Sequence, residues 1–161
     1  MTTRARKAPG RVAFVGSGPG DVGLLTVRAK DTLERAELVV TDPDVPSGVL
    51  AFAAGTAEVR PAVGQPADVA KDLVTEAKAG RLVVRLVAGD PLTHTAVVAE
   101  TQAVARGSVA FDVVPGVPAG TAVPAYAGVA LGSTHVEADV RGIVEWAGLA
   151  AAPGPLVLHA N

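Results

Sequence analysis

The chain has 161 residues, no cysteine, 49% hydrophobic and 19% charged residues, and a net charge of −2. That length suits one domain, or one domain with part of a second, and the apolar content is that of a chain with a packed core. Missing cysteine excludes disulfides and thiolate metal sites, the charge balance argues against nucleic-acid binding, and no apolar run is long enough to span a membrane.

Residues 1–10, MTTRARKAPG, read as a mobile basic tail and not as a signal peptide. VAFV (12–15) is the first apolar run of strand length, and GSGPGD (16–21) follows it directly. Residues 23–36 are predicted helical, with Leu25, Ala29, Leu33 and Ala36 on one stripe. LVVT (38–41) is the second strand and ends at Asp42, and AEVR (57–60) is a weaker third. Residues 67–79 repeat the helical stripe with Val69, Leu73 and Ala77, and stop at Gly80 with Lys78 in the last turn. LVVRLV (82–87) is the fourth strand and runs into AGDP (88–91). A helix over 95–106 ends at Gly107, and VAFDVV (109–114) is the fifth strand, followed by PGVPAG (115–120).

These strands are valine-rich without polar alternation, as strands buried on both faces are. Their alternation with helices predicts an α/β fold, an open, mainly parallel five-stranded sheet flanked by helices with right-handed crossovers. After residue 114 the chain turns rich in glycine, proline and alanine. Residues 136–149 are expected to form a helix, and PGPLVLHAN begins another strand. The expected organisation is a tail (1–10), an α/β domain (11–132), then an interdomain helix and the first strand of a largely absent second domain (133–161). The alternative is an edge strand that closes the first sheet.

Ligands of open α/β sheets sit beyond the carboxyl ends of the strands, where GSGPGD, AGDP and PGVPAG would gather. A dinucleotide fingerprint needs glycine where Asp21 stands, and a carboxylate there opposes a pyrophosphate. A backbone-lined site for a ligand without phosphates and a plain tight turn with Asp21 as helix cap both fit. Asp90 suits a ribose hydroxyl, an ammonium group or an Asx-type turn. Asp42 is either a proton acceptor, a cation ligand or a turn carboxylate. His94, His135 and His159 lack metal-ligand spacing, so no metal site is expected. Arg60, Arg81 and Arg85 lie at or near strands, where flanking solvation is the plainer reading than an acidic substrate, and Trp146 reads as packing on a helix.

Taken together, VGSGPGDVGLLT (15–26), VVTD, VVRLVAGDP (83–91) and VVPGVPAGTAVPAYAGVAL (113–131) resemble the tetrapyrrole methylase superfamily, and within it the uroporphyrinogen-III C-methyltransferase family. The resemblance covers nearly the whole chain. It implies S-adenosylmethionine as cofactor, an acidic tetrapyrrole as substrate, a cytoplasmic homodimer, and no nucleic-acid or membrane partner. By position it implies cofactor contacts at Pro19, Ala88, Gly89, Asp90, Thr93, Pro118 and Ala119, and Asp42 as the proton acceptor.

The chain also departs from the family pattern. Gln65 stands where the family has a basic proton donor, Ala88 replaces a glycine, and His94 and Thr95 fall in the segment that replaces Phe-Gly-Arg. Two readings follow. One is C-methylation of uroporphyrinogen III toward precorrin-2. The other is a non-catalytic methylase-like binding or assembly module beside a tetrapyrrole enzyme such as uroporphyrinogen-III synthase.

Overall fold

The computed structural model describes residues 9–160, so the expected tail lies outside the described residues except for Pro9 and Gly10. Five strands form the main sheet: β1 (Arg11–Gly16), β2 (Leu38–Thr41), β3 (Glu58–Pro61), β4 (Leu82–Val87) and β5 (Ala110–Val114). Their order is β3-β2-β4-β1-β5, and every pairing is parallel. The predicted open parallel sheet is therefore the observed one, and each strand starts within one residue of its predicted position.

Both faces are covered. On one, Val12, Phe14, Leu38, Val40, Val83 and Val87 pack against α3 (Pro66–Lys78) and α4 (Thr95–Ala105). On the other, Ala13, Val15, Val39, Val84 and Leu86 pack against α1 (Val27–Leu33) and α2 (Ser47–Leu50). Period-two alternation sends successive strand residues to opposite faces, and because both faces are dry the buried stretches 12–15, 38–40 and 83–87 consist of apolar residues. Arg85 in the centre of β4 is the exception, with 3% of its side chain exposed.

The first helix is shorter than the pattern 23–36 implied. A 3-10 turn (Val22–Leu24) comes first, capped by Asp21, whose Oδ1 accepts from the Gly23 amide at 2.7 Å. Thr26 then caps α1 by accepting from the Ala29 amide at 3.2 Å. Helix α3 carries Pro66 at its first turn, Asp68 near its amino end and Lys78 in its last turn, as helix termini prefer.

At the amino edge of the sheet, Arg60 pairs with Glu58, Asp72 and Glu76, and Arg81 with Glu58 and Glu76. The Arg81 hydrogen bond, helped by Arg60, holds Glu76 below the usual carboxylate range against the opposing effect of burial. These two arginines stitch β3, β4 and α3 together at the edge opposite the glycine turns.

The chain divides into two compact units, one up to Pro118 and the other from Ala119. The second contains α5 (Ala119–Tyr126), β6 (Val136–Asp139), α6 (Trp146–Ala150) and β7 (Leu156–His159), with β6 and β7 paired in parallel. The helix expected over 136–149 is thus a correction. Residues 136–139 alternate half-buried and exposed, and Val136 lies opposite Leu156 as a β-pair. Long-range pairing overrides the local pattern there. Only 146–150 is helical, and Trp146, expected to pack, is 58% exposed.

Candidate functional site

The register sets the geometry of the carboxyl edge. Pro61, Thr41, Leu86, Val15 and Val114 form one row across all five strands. The loops therefore leave the sheet at a common level, with Asp42, Gly16 and Pro115 at or just past that row. The loop after β4 leads to α4 on one face, while those after β1 and β2 lead to α1 and α2 on the other. Neighbouring strands whose connections leave on opposite sides open a crevice at their carboxyl ends, where open α/β sheets bind ligands.

Backbone contacts lock the three glycine turns to one another. Gly18 and Gly89 form an antiparallel bridge, with the Gly89 amide donating to the Gly18 carbonyl at 2.9 Å and the Gly18 amide donating to the Gly89 carbonyl at 3.2 Å. The Ser17 amide donates to the Val87 carbonyl at 2.8 Å. Asp90 ties the turn after β4 to the turn after β5: its Oδ2 accepts from the Gly116 amide at 3.1 Å and its Oδ1 from the Leu92 amide at 3.0 Å. A Cβ on Gly16 or on Gly116 would run into the Gly89 carbonyl oxygen. The bare backbone at these two glycines is thus filled by protein, and it lets three turns close over the end of β1.

Around this knot stand most of the expected contact residues. Pro19 lies in the turn beyond Gly18. The Ala88 carbonyl accepts from His94 Nε2 at 2.8 Å, so His94 folds the AGDP loop back on itself. Ala88 has no left-handed backbone, so replacing a glycine there carries no conformational strain. The Thr93 hydroxyl donates to the Asp90 carbonyl at 2.8 Å. Pro118 ends the first unit, while Ala119 opens α5 in the second. Gln65 precedes α3 in the loop after β3 and is exposed.

Asp42 sits at the end of β2 with its side chain 25% exposed, and its Oδ1 pairs with Arg85 Nη2 at 2.7 Å. The same guanidinium binds Glu100 of α4 through Nε to Oε2 at 2.8 Å and Nη2 to Oε1 at 3.1 Å. Burial works against the charge on Arg85, yet the hydrogen bond and charge of Glu100, with those of Asp42, raise its pKa above the ordinary value. Sequence reasoning placed Arg85 among solvated flanking arginines and passed over Glu100. The readable signal was an arginine inside a wholly apolar strand, and a glutamate on the same α4 stripe as Val97 and Val104.

The charge of the edge is one-sided. Loop residues 17–26, 42–46, 62–65, 88–94 and 115–118 hold four aspartates (Asp21, Asp42, Asp44, Asp90), one histidine (His94) and no lysine or arginine. Such an edge attracts a cationic group and repels phosphates and carboxylates. Two surface hollows, of about 360 Å³ between α3 and α4 and about 330 Å³ in the second unit, are lined by none of these loops.

A family model described as Tetrapyrrole (Corrin/Porphyrin) Methylases matches residues 11–161. The chain belongs to this family. The structure of the chain resembles the uroporphyrin-III C-methyl transferase of Thermus thermophilus complexed with S-adenyl homocysteine, with a TM-score of 0.79, 31% identity, and coverage of 92% of this chain and 69% of that one. It also resembles a cobalt precorrin-4 methyltransferase, with a TM-score of 0.77, 25% identity, and coverage of 90% and 65%. Siroheme synthase 1 of Pectobacterium atrosepticum is 43% identical to this chain over 136 residues, which are 80% of this chain and 28% of that protein. The chain thus spans under a third of the siroheme synthase it matches.

Proposed function

We propose that the carboxyl edge of the main sheet binds S-adenosylmethionine and that the chain methylates a ring carbon of uroporphyrinogen III, with Asp42 as proton acceptor. The observation that carries this reading is the convergence of the turns after β1, β4 and β5 with Asp42 on one edge of a methylase fold. Homodimerisation and a cytoplasmic setting belong to the same proposal and rest on the family resemblance alone.

The residues present fit the cofactor. Its sulfonium and ammonium charges suit an edge with four aspartates and no basic side chain. The turn contacts fix Gly18 beside Gly89 and Asp90 beside Gly116, so the turns and the Asp90 carboxylate are preorganised. When bound, the cofactor supplies an electrophilic methyl group on sulfur. The protein's part is to align donor and acceptor and exclude water. A ring carbon that gains a methyl leaves the macrocycle with a proton to lose, and the Asp42 carboxylate accepts it. Asp42 Oδ1 is engaged by Arg85, and Oδ2 has no protein partner among the described residues.

A second reading, a non-catalytic binding module, is favoured by one observation: no lysine or arginine in the edge loops stands ready to meet the acidic groups of a tetrapyrrole, and Gln65 fills the place of a proton donor. Transfer of a labelled methyl group from S-adenosylmethionine to uroporphyrinogen III separates the two. Turnover by the wild type, reduced at least about a hundredfold in Asp42→Asn, is the expected result. Cofactor binding with no turnover assigns the module reading.

A further inference from the structure

Arg85 is a charge in an apolar layer. Its β-neighbours are Phe14 and Val40, and α3 presents Val69, Ala70, Leu73 and Ala77 to the same face. Among the described residues, its ionic partners are Asp42 from the loop after β2 and Glu100 from α4, and Asp42 has Arg85 as its ionic partner. Nη2 is shared between Asp42 Oδ1 and Glu100 Oε1. A buried Arg–Glu pair is neutral, so a third charge on the same guanidinium senses both members.

We infer that Arg85 and Glu100 are positioning residues that set the direction of Asp42 at the methyl-transfer edge. The inference rests on the reading of Asp42 as proton acceptor. Arg85 orients the carboxylate through one oxygen, leaving the other for the substrate. Glu100 holds Nε and Nη2 of the guanidinium through two hydrogen bonds, and so fixes the plane in which Arg85 meets Asp42. A residue in the middle of α4 thereby sets the direction of a carboxylate at the end of β2.

The test compares the wild type with Glu100→Gln and Arg85→Lys. The kcat and KM of methyl transfer are measured per folded molecule, with S-adenosylhomocysteine affinity and melting temperature on the same samples. Glu100→Gln keeps the shape and one hydrogen-bond acceptor but removes the negative charge. Its kcat is expected to fall about tenfold as the guanidinium loses its fixed plane, with cofactor affinity within about twofold of wild type. Arg85→Lys, which cannot serve two carboxylates in fixed directions, is expected to lose about tenfold or more in kcat with KM for the cofactor little changed. A merely structural role lowers the amount of active protein and leaves kcat per folded molecule unchanged. Full kcat in both Glu100→Gln and Arg85→Lys overturns the inference while the proposed function stands. Should Glu100→Gln fail to fold, the Arg85→Lys result decides alone. A wild type that binds cofactor and transfers no methyl overturns the proposed function, and with it this role.

Discussion

Glu100→Ala is expected to cost about 3–5 kcal/mol of stability, close to the whole margin of many domains. The reason is that Arg85 stays where it is, with 3% of its side chain exposed, while its bidentate partner is gone. Asp42 remains as an acceptor, but it sits at a partly exposed position and engages one nitrogen. The guanidinium is left with Nε and part of Nη2 unmatched in a layer of valine and phenylalanine. The cost belongs to the unpaired charge and not to the pair. Replacing both residues by apolar ones of similar volume, as in Arg85→Met with Glu100→Leu, is therefore expected to be close to neutral or stabilising. Urea unfolding of Arg85→Met, Glu100→Leu and the double variant gives the full cycle, with Glu100→Ala measured beside it. A single-variant loss under about 1 kcal/mol would mean that the pair is hydrated and not buried.

Gly16→Ala is the second large effect, at roughly 3 kcal/mol or more. Its added methyl would meet the Gly89 carbonyl oxygen, and the Gly116 amide nitrogen at 2.7 Å. Both obstacles are backbone, held by the Gly18–Gly89 bridge and by Asp90, so neither gives way without opening the knot of turns. Gly55→Ala is the matching control, because a methyl there meets nothing within 4 Å. The denaturant midpoint of Gly16→Ala is expected to fall well below that of the control. If the two variants unfold together, the turns are not packed on one another as described.

Much of the first unit was legible because a buried parallel strand leaves an unmixed signature. VAFV, LVVT, LVVRLV and the run ending at Val114 have no other comfortable home. The glycine turns were legible as a group for a similar reason, since three of them after three strands must meet at one edge. Their purpose was less legible. GSGPGD suggested space for a ligand, and at Gly16 that space is occupied by Gly89 and Gly116, residues more than seventy positions away.

The second unit was the harder part. Pro124 lies inside α5, and the flanking glycines made that stretch look irregular. Strand β6 has four residues and its partner is twenty positions on, so local pattern had little to offer. Arg85 and Glu100 show a third kind of limit. Each carries a signal in its own window, a charge among buried apolar residues, but that the two meet appears when β4 and α4 pack.

The central claim is that the acidic, knotted edge holds the methyl donor. Calorimetric titration with S-adenosylhomocysteine, run on the wild type and on Asp90→Ala, tests it most directly. The account predicts saturable binding by the wild type and affinity about tenfold or more weaker in the variant, which loses a carboxylate that both faces the edge and joins its turns. No saturable heat from a folded wild type, or equal affinity in the two proteins, would contradict it.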